Sequence, residues 1–469
     1  MSELNFLSAT ELSRRIRRKE VSAREVLEAH IQQIEHVNPK LNAIVTHTHE
    51  KARTTAAALD EKQAKGEPLG ILHGLPVAHK DLVLTKGVRT TYGSLIYQDF
   101  VPDEDMMIVA RQHAAGAVMV GKTNTPEFGA GSQTFNAVFG KTPNPYDLSK
   151  TCGGSSGGAG VALATGMVAL ADGSDLGGSL RNPASFCNVV GLRGSPGRVP
   201  IHPTKNIYYD LSVEGAMART VEDVALFMAA ISGPDARVPI ALDDPGSLFL
   251  RPLGRSFKGA RVAWSADLQG IAPVDKRVVA ALNAQRHVFE DLGCVTTEAL
   301  PDFTDATFVF ETLRAYHFAL TRKHDYDHNR AQLKDTVIWN IEAGLKLDGF
   351  AIGDASAKRT ALFARMHAFF QRYDFLVLPS AQVLPFSVDQ PYPTQINGEK
   401  MGNYLDWMKT CYYITVTGHP AISVPCGFSP EGLPVGIQIV GKYRDDFGVL
   451  QIAHAFEQAT RVGERRPVL

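Results

Sequence analysis

Two glycine-rich turns that each carry serine constrain this chain more than any other part of its sequence. The first reads GGSSGGAG at 153–160, the second reads SDLGGSLR at 174–181, and one helix-like and one strand-like run lie between them. Glycine lets the backbone approach a ligand closely and leaves N–H groups pointing outward, as an oxyanion hole requires. Tight turns without chemistry have the same composition, so the pattern alone leaves both interpretations open.

The segments around the two turns alternate between short strand-like and helix-like runs. LPVAH, AVMVG and MVALADG read as strands, and GGAGVALATG reads as a helix of small residues that packs close to its neighbours. Strand-like runs return in YDFLVLPS, HPAISVPCGF and LPVGIQIVG, and GVLQIAHAFEQAT reads as a last amphipathic helix. This alternation predicts an α/β core.

Outside that core the pattern is mostly helical. Ser8 with Glu11 and Ser22 with Glu25 have the spacing of helix capping boxes. The region 205–375 is richer in charge and in helical periodicity, as in ALFMAAIS and WNIEAGLKL, and we expect it to wall a pocket. We predict one domain over 1–469, made of a helical lead-in (1–70), a core (72–200), the variable helical region (205–375) and C-terminal core strands with a helix (376–469).

Charge, cysteine usage and hydropathy exclude several classes of function. Lys plus Arg number 48 and Asp plus Glu 49, so the net charge of −1 gives no long-range attraction for nucleic acid or an anionic membrane. The five cysteines include no pair with zinc-ligand spacing, which favours free thiols, a cytoplasmic location and no metal site. No apolar segment follows the basic start, and the longest apolar stretch, 159–171, is too short to cross a bilayer. We therefore expect neither a signal peptide nor a membrane span.

A nucleophilic serine needs a base, and histidine is the usual one. The chain has 15 histidines, but none lies in a glycine-bounded motif, and we expect His73, His79 and His113 to be core or surface residues. Lys80 ends the apolar run LPVAHK, and Asp81 after it would point to the other face of a strand. Since only about 0.04% of an ordinary lysine is neutral at pH 7, a lysine base needs its pKa lowered by about three units. From composition alone, a paired structural lysine is the simpler interpretation of Lys80.

A phosphate-binding motif is rejected on its context. Gly116, Gly121, Lys122 and Thr123 have the spacing of a P-loop. The intervening residues AVMV read as a buried strand instead of a turn, and Pro126 follows where the helix of a P-loop begins. We therefore expect no nucleotide site.

Several ordered motifs together resemble the amidase signature family. They are GLPVAHKD (74–81), GKTNTPEF (121–128), GGSSGGAG, DLGGSLR with NPASFCNVVGLRGSPGRVP after it, and GHPAISVPCGF with GLPVGIQIVG. The resemblance covers nearly the whole chain and implies the amidase signature fold, an α/β fold with a large mixed central β-sheet flanked by α-helices on both faces. It also implies a free-standing amidase that needs neither metal nor cofactor.

The resemblance implies a role for each residue of the site. By position, Ser179 is the nucleophile, Ser155 is a bridging serine that follows a cis peptide bond, and Lys80 is the base. The implied oxyanion hole consists of the backbone N–H groups of Leu176, Gly177, Gly178 and Ser179. Arg181 and Asp175 are expected to hold the turns in place.

We expect the substrate pocket to combine a backbone segment with the variable part of the chain. The segment consists of Gly129, Ala130, Gly131 and Ser132. The variable part runs from 205 to 415, and its aromatic candidates are Tyr208, Tyr209 and Trp339.

Three departures from the family pattern bear on the substrate. Ser174 stands where threonine is common, and Thr415 stands where many relatives have asparagine. Met408, ten residues before Gly418, stands where members that take ammonia from glutamine usually carry aspartate. We predict hydrolysis of a non-peptide C–N bond in a small or aryl amide through an acyl-enzyme, by a monomer or homodimer. The alternatives are a carbamate or ester hydrolase with the same triad and an A-type subunit of a glutamine-dependent tRNA amidotransferase.

Overall fold

The computed structural model describes residues 3–469, and its main element is an 11-stranded sheet. The strands of the chain are β1 (Ile44–His47), β2 (Pro76–Lys80), β3 (Val118–Thr123), β4 (Phe135–Asn136), β5 (Gly140–Lys141), β6 (Pro143–Asn144), β7 (Asp147–Thr151), β8 (Leu170–Asp175), β9 (Val190–Arg193), β10 (Val213–Ala218), β11 (Arg261–Trp264), β12 (Val295–Glu298), β13 (Phe375–Pro379), β14 (Gln395–Ile396), β15 (Glu399–Lys400), β16 (Ala421–Phe428) and β17 (Pro434–Gly441).

Helices surround this sheet along the whole chain. They are α1 (Ala9–Arg17), α2 (Ala23–Leu41), α3 (His49–Ala64), α4 (Met107–Ala114), α5 (Gly157–Ala164), α6 (Arg181–Cys187), α7 (Val221–Ile231), α8 (Lys276–Asn283), α9 (Arg286–Asp291), α10 (Ala306–Asn329), α11 (Asp335–Leu345), α12 (Gly349–Arg372), α13 (Lys409–Thr417) and α14 (Asp446–Thr460). Within residues 3–469, no helix combines the length and the apolar character needed to cross a membrane.

The large sheet is mixed. Its strand order is β1-β3-β2-β8-β10-β9-β16-β17-β13-β11-β12. The pairs β2–β3, β2–β8, β11–β12 and β11–β13 are parallel, and the other neighbours in the sheet are antiparallel. β10 lies between β8 and β9 although it follows both of them in the chain.

Helices cover both faces of the sheet, as β10 illustrates. Met217 belongs to the buried cluster that contains Val161 of α5, whereas Ala218 belongs to the cluster that contains Val224 of α7. Successive residues of a strand point to opposite faces. The predicted fold class, an α/β fold with a large mixed sheet flanked by helices on both faces, is confirmed.

Two regions that were predicted to be helical also contain strands. β1 lies within the lead-in (1–70), and β10, β11 and β12 lie within the variable region (205–375). The hydrophobic period is not readable over runs of four to six residues, so tertiary pairing decides their structure. The capping boxes are confirmed in part: Ser22 and Glu25 cap α2 reciprocally, whereas Ser8 caps α1 alone because the Glu11 carboxylate binds Arg14 and Arg15.

Candidate active site

The serines of the two glycine-rich turns come together because hydrogen bonds join the turns. Gly154 N donates to Asn182 Oδ1 at 3.2 Å, and Ser156 N donates to the Ser179 carbonyl at 3.3 Å. The Gly154–Ser155 peptide bond is cis, as the resemblance implied. Ser155 and Ser179 are 2% and 7% exposed, so a reaction at either serine takes place in a largely desolvated site.

Asp175 shapes the second glycine-rich turn, which runs from β8 to α6. Its Oδ1 accepts from Gly178 N at 2.9 Å, and its Oδ2 accepts from Leu180 N at 3.1 Å. Arg181 donates to both oxygens, at 2.8 and 3.0 Å, and Arg193 also reaches Oδ1. Burial opposes ionisation of Asp175, but the two guanidinium groups outweigh it and hold the pKa well below its usual range. Asp175 and Arg181 thus hold this turn in place, as expected.

One of the four backbone N–H groups of the predicted oxyanion hole has a partner inside the turn. The Gly178 N–H already donates to Asp175 Oδ1 at 2.9 Å, so in this structure it holds the turn, and its part in an oxyanion hole stays a prediction. In the described chain, the N–H groups of Leu176, Gly177 and Ser179 donate to no protein group. These three remain free to donate to a substrate oxygen.

Lys80 ends β2 and is fully buried next to both turns. Its Nζ donates to Ser155 Oγ at 2.8 Å and to Ser174 Oγ at 2.9 Å. Within residues 3–469, no carboxylate lies within salt-bridge distance of this nitrogen. Burial lowers the pKa of Lys80 to about 8, while the charges of Glu214, Asp175 and Asp172 oppose the shift. This shift covers most of the lowering that a lysine base requires.

No hydrogen bond joins the hydroxyls of Ser155 and Ser179 within residues 3–469. The structure therefore shows the contact between Lys80 and Ser155 but not the next contact of a proton relay. In enzymes without substrate, catalytic hydrogen bonds are often long and shorten only when the substrate binds.

Lys122, the lysine of the rejected P-loop match, is a structural residue. The segment before it is strand β3, which pairs with β2, so no phosphate-binding turn exists there. Lys122 Nζ donates to the Val83 carbonyl at 2.5 Å and to Thr85 Oγ1 at 2.9 Å. Asp81 lies on the same side and accepts from Thr91 Oγ1 at 2.5 Å. Asp81 therefore points away from Lys80, as strand alternation predicts.

The three histidines near these motifs do not contact the serines. His79 Nδ1 lies 2.5 Å from Asp172 Oδ2 in the core, and His113 packs on His79 with 5.9 Å between ring centroids. His73 is buried, and neither ring nitrogen finds a partner in the described residues. The prediction that these are core or surface residues is confirmed.

The predicted substrate-binding segment borders the first glycine-rich turn. A Cβ atom built on Gly129 would lie 3.4 Å from Ser155 Oγ. Ala130 is buried, its carbonyl accepts from Lys334 Nζ at 3.2 Å, and Gly131 lies beside the same nitrogen. Ser132 contacts Met408 Sδ at 2.6 Å. The segment is therefore well placed to contact a bound ligand.

The aromatic candidates of the variable region do not contact the serines. Tyr208 is 69% exposed. Tyr209 stacks on His317 with 3.8 Å between ring centroids, and Trp339 meets the Tyr404 ring edge-on at 5.7 Å.

Two side chains that the sequence did not single out lie next to the second glycine-rich turn. A Cβ built on Gly177 would lie 3.1 Å from Phe310 Cζ, and one on Gly178 would lie 2.5 Å from Cys411 Cβ. Phe310 comes from α10 and Cys411 from α13, both far in sequence from the two glycine-rich turns. No spacing signal connects them to the serines.

A third residue was missed: Glu214, a buried acidic residue of β10 that acts electrostatically on Lys80. The signal for it was present, because VEGAMA places one carboxylate in an otherwise apolar strand-like run. Residues 3–469 contain no group of three or more His, Cys, Asp or Glu side chains arranged to hold a metal ion.

Comparison with known proteins extends this picture. The chain matches the sequence model of the family described as Amidase over residues 25–450. It is 36% identical to an acylamidase of Rhodococcus erythropolis over 99% of this chain and 98% of that protein. It is also 35% identical to the A-type subunit of the glutamyl-tRNA(Gln) amidotransferase of Synechococcus sp. (strain CC9605), over 96% of this chain and 95% of that one.

Solved structures give the same result at the level of the fold. A bacterial aryl acylamidase of the amidase signature family superposes with a TM-score of 0.92 at 30% identity, over the full length of both chains. The 6-aminohexanoate cyclic dimer hydrolase superposes with a TM-score of 0.90 at 27% identity, over 99% of each chain.

The fold, the serine turns and these relatives define an enzyme of the amidohydrolase class. More narrowly, the chain belongs to the amidase signature family.

Proposed function

We propose that this enzyme hydrolyses the C–N bond of a small or aryl amide, with Ser179 as nucleophile, Ser155 as bridging serine and Lys80 as base. The observation that carries the proposal is the 2.8 Å hydrogen bond between Lys80 Nζ and Ser155 Oγ in a buried site. A serine hydroxyl is a weak nucleophile until a base takes its proton, and a lysine with a lowered pKa is such a base.

The reaction has two half-reactions that use the same proton path. Neutral Lys80 accepts the proton of Ser155 Oγ, Ser155 accepts that of Ser179 Oγ, and Ser179 Oγ bonds to the carbonyl carbon. The N–H groups of Leu176, Gly177 and Ser179 donate to the oxygen as it gains negative charge. The C–N bond then breaks while the amine nitrogen receives the proton through Ser155, which leaves an acyl group on Ser179. A water molecule then attacks the acyl group along the same proton path, which releases the carboxylic acid and restores Ser179.

Apolar side chains around the second glycine-rich turn favour an aryl or apolar group next to the reacting carbonyl. Phe310 stacks on Tyr412 with 4.3 Å between centroids and presents its edge to Gly177. Leu176 packs against a cluster that consists of Phe128, Ala130, Phe318, Leu333, Val337 and Ile341. Such walls stabilise a bound ring by burying its apolar surface. The similarity to an aryl acylamidase agrees with this preference.

The nucleophile is tested with a fluorophosphonate probe, which labels activated serines. We expect the wild-type enzyme to be labelled and Ser179→Ala to lose the label. Ser265→Ala is the matched control, because Ser265 is fully buried and its hydroxyl has no partner in the described chain. Full labelling of the Ser179→Ala variant would refute the assignment.

Amidotransferase A-type subunits are among the relatives, so this second function needs its own test. Met408 argues against it, because a thioether beside Ser132 cannot pair with the ammonium group of glutamine as a carboxylate would. We expect the purified chain alone to hydrolyse anilides faster than glutamine. Activity that appears only with partner proteins would favour the amidotransferase role, and faster turnover of carbamates or esters would favour those substrates.

The cellular setting is also part of the proposal. All five cysteines are free thiols and buried. Free thiols persist in a reducing compartment, which supports a cytoplasmic location. Detection of the enzyme only in an oxidising compartment would contradict this.

A further inference from the structure

Glu214 is an acidic residue in the middle of the sheet. In the register of β8 and β10 it lies directly opposite Ser174, so the two side chains share one face of the sheet. Ser174 Oγ accepts a hydrogen bond from Lys80 Nζ at 2.9 Å. Glu214, only 8% exposed, therefore lies beside the hydroxyl that anchors Lys80.

Neither Glu214 nor Lys80 has a direct partner of opposite charge. Glu214 Oε2 is buried and accepts no hydrogen bond from any group in residues 3–469. Within the same part of the chain, Lys80 Nζ donates only to the hydroxyls of Ser155 and Ser174. A buried carboxylate and a buried ammonium that do not touch are both destabilised relative to their neutral forms.

A cavity of about 110 Å³ gives water access to Glu214. Its lining includes Glu214, Tyr209 and His317, together with Thr204, which is exposed on the preceding loop. Tyr209 Oη and His317 Nδ1 are buried and, like Glu214 Oε2, have no partner in the described residues. A polar cavity of this size holds a few water molecules, so protons can exchange between solvent and Glu214.

Several other titratable or charged groups lie around Glu214. The titratable or charged groups on the elements packed against it include Lys80 on β2, Asp172 and Asp175 on β8, Arg193 on β9, Asp223 on α7, Arg314 and His317 on α10, and Tyr209 and Asp210 on the preceding loop, whereas Glu222 of α7 is exposed to solvent. α5 has no titratable side chain.

The surroundings of three of these neighbours leave their pKa values away from neutral pH. Burial lowers the pKa of His317 to about 4, and it lowers that of Arg193 to about 10. Burial opposes ionisation of Asp172, but His79 holds the pKa of Asp172 below its usual range. Among the groups here whose pKa is shifted, Lys80 and Glu214 are the two with a pKa near neutral, about 8 for each.

We propose that Glu214 is a positioning residue that shares one proton with Lys80 and carries this proton while Lys80 acts as a neutral base. This inference rests on the proposed role of Lys80. The pair has zero net charge both as ammonium with carboxylate and as amine with carboxylic acid, so moving the proton to Glu214 frees the base without changing the charge of the site.

Burial favours the neutral form of both groups, and this neutral pair is the form in which Glu214 carries the proton. Burial raises the pKa of Glu214, with the charge of Asp172 adding to the rise, and it lowers the pKa of Lys80. The remaining attraction between carboxylate and ammonium holds Lys80 protonated to higher pH than burial alone would. Removal of the Glu214 charge therefore lowers the pH at which Lys80 becomes neutral.

The test is the pH dependence of fluorophosphonate labelling at Ser179 in the full-length enzyme. We expect the wild-type rate to rise in two ionisation steps, and Glu214→Gln to give a single step shifted to lower pH by about one unit. Glu214→Asp, which keeps a carboxylate, should restore the broader two-step profile. Glu457→Gln is the matched control, because burial also raises the pKa of Glu457 to about 8, yet this residue lies on α14 and binds Val221 N.

Each outcome decides one question. Coincident profiles for wild type and Glu214→Gln overturn the inference, and so does an equal shift in Glu457→Gln. If Glu214→Gln does not fold, the wild-type profile decides alone, since a single ionisation contradicts a shared proton. A wild-type enzyme that takes no label at Ser179 overturns the proposed function instead.

Discussion

Two buried lysines on neighbouring strands show how much the partners of a residue decide its role. Lys80 and Lys122 are both fully buried, and burial lowers the pKa of each to about 8. Lys80 meets two serine hydroxyls, whereas Lys122 meets a carbonyl oxygen and a threonine and lies near Asp81. We infer that Lys80 takes part in the reaction, whereas Lys122 stabilises the fold.

Replacing each lysine by methionine separates these roles. We expect Lys80→Met to label with fluorophosphonate about 10³-fold more slowly, since a positioned base contributes rate enhancement of that order. Its free energy of unfolding should change little, because Lys80 has no ion-pair partner in residues 3–469. Stopped-flow labelling and urea unfolding measure the two quantities.

The Lys122→Met variant is the matched control for that experiment. We expect it to keep most of the labelling rate but to lose about 2 kcal/mol of stability, since it removes the buried donor to the Val83 carbonyl and the Thr85 hydroxyl. Normal labelling in Lys80→Met, or a complete loss in a folded Lys122→Met, would contradict the assignment.

The pKa of Lys80 also predicts the pH dependence of acylation. Because only the neutral amine accepts a proton, and the pKa is lowered to about 8, the labelling rate should rise as pH increases through 8, by way of the two steps expected for the pair with Glu214, and level off above that range. An ordinary lysine would place this rise near pH 10 instead, since its pKa is about 10.4. Initial labelling rates in overlapping buffers measure the profile, and a flat profile would exclude a lysine base.

At the scale of elements, the second glycine-rich turn depends on one buried carboxylate. Asp175 binds two backbone N–H groups and two buried guanidinium groups. We expect Asp175→Asn to reduce the free energy of unfolding by about 3 kcal/mol, because it leaves Arg181 and Arg193 without a negative charge. Labelling at Ser179 should fall as the turn loosens.

A surface ion pair provides the comparison for Asp175. Asp235 accepts two hydrogen bonds from the Arg237 guanidinium and one from the Arg237 backbone N–H, but that guanidinium is largely exposed. Solvent screens such pairs, so Asp235→Asn should cost less than about 1 kcal/mol. Equal losses in urea unfolding of the two variants would show that the turn does not depend on Asp175.

The sequence predicts the elements whose patterns are long or punctuated by glycine, and it fails at short ones. The runs of β2, β3, β8, β16 and β17 and the helices α5 and α14 were read correctly, and the resemblance supplied Ser179, Ser155 and Lys80. VEGAMA of β10 has weak strand propensity, and its burial between β8 and β9 is a tertiary effect. The role of Glu214 was missed for a related reason, because a charge interaction between separate strands leaves no spacing signal, whereas the contact of Gly178 with Asp175 depends on the local shape of the turn.

For the whole molecule, the five cysteines make a simple prediction about reactivity. All are buried, and burial raises the pKa of Cys294 and Cys411 to about 11 and that of Cys152 to about 12. Thiols in such surroundings are poor nucleophiles. We expect Ellman's reagent to titrate almost no thiol in the native enzyme and all five after denaturation. Rapid native reaction, or fewer than five thiols after denaturation without reductant, would contradict this description.

The position of β10 has a consequence for how the enzyme is made. A ribosome that has synthesised the chain up to residue 205 has delivered both serines and the lysine, but not the strand that separates β8 from β9. β9 also pairs with β16, which is made more than 200 residues after it. The sheet therefore cannot be completed until translation is nearly finished, and its unpaired strand edges stay exposed in the nascent chain. A cell that interrupts synthesis midway obtains no partly active enzyme, only a chain that chaperones must hold or proteases remove.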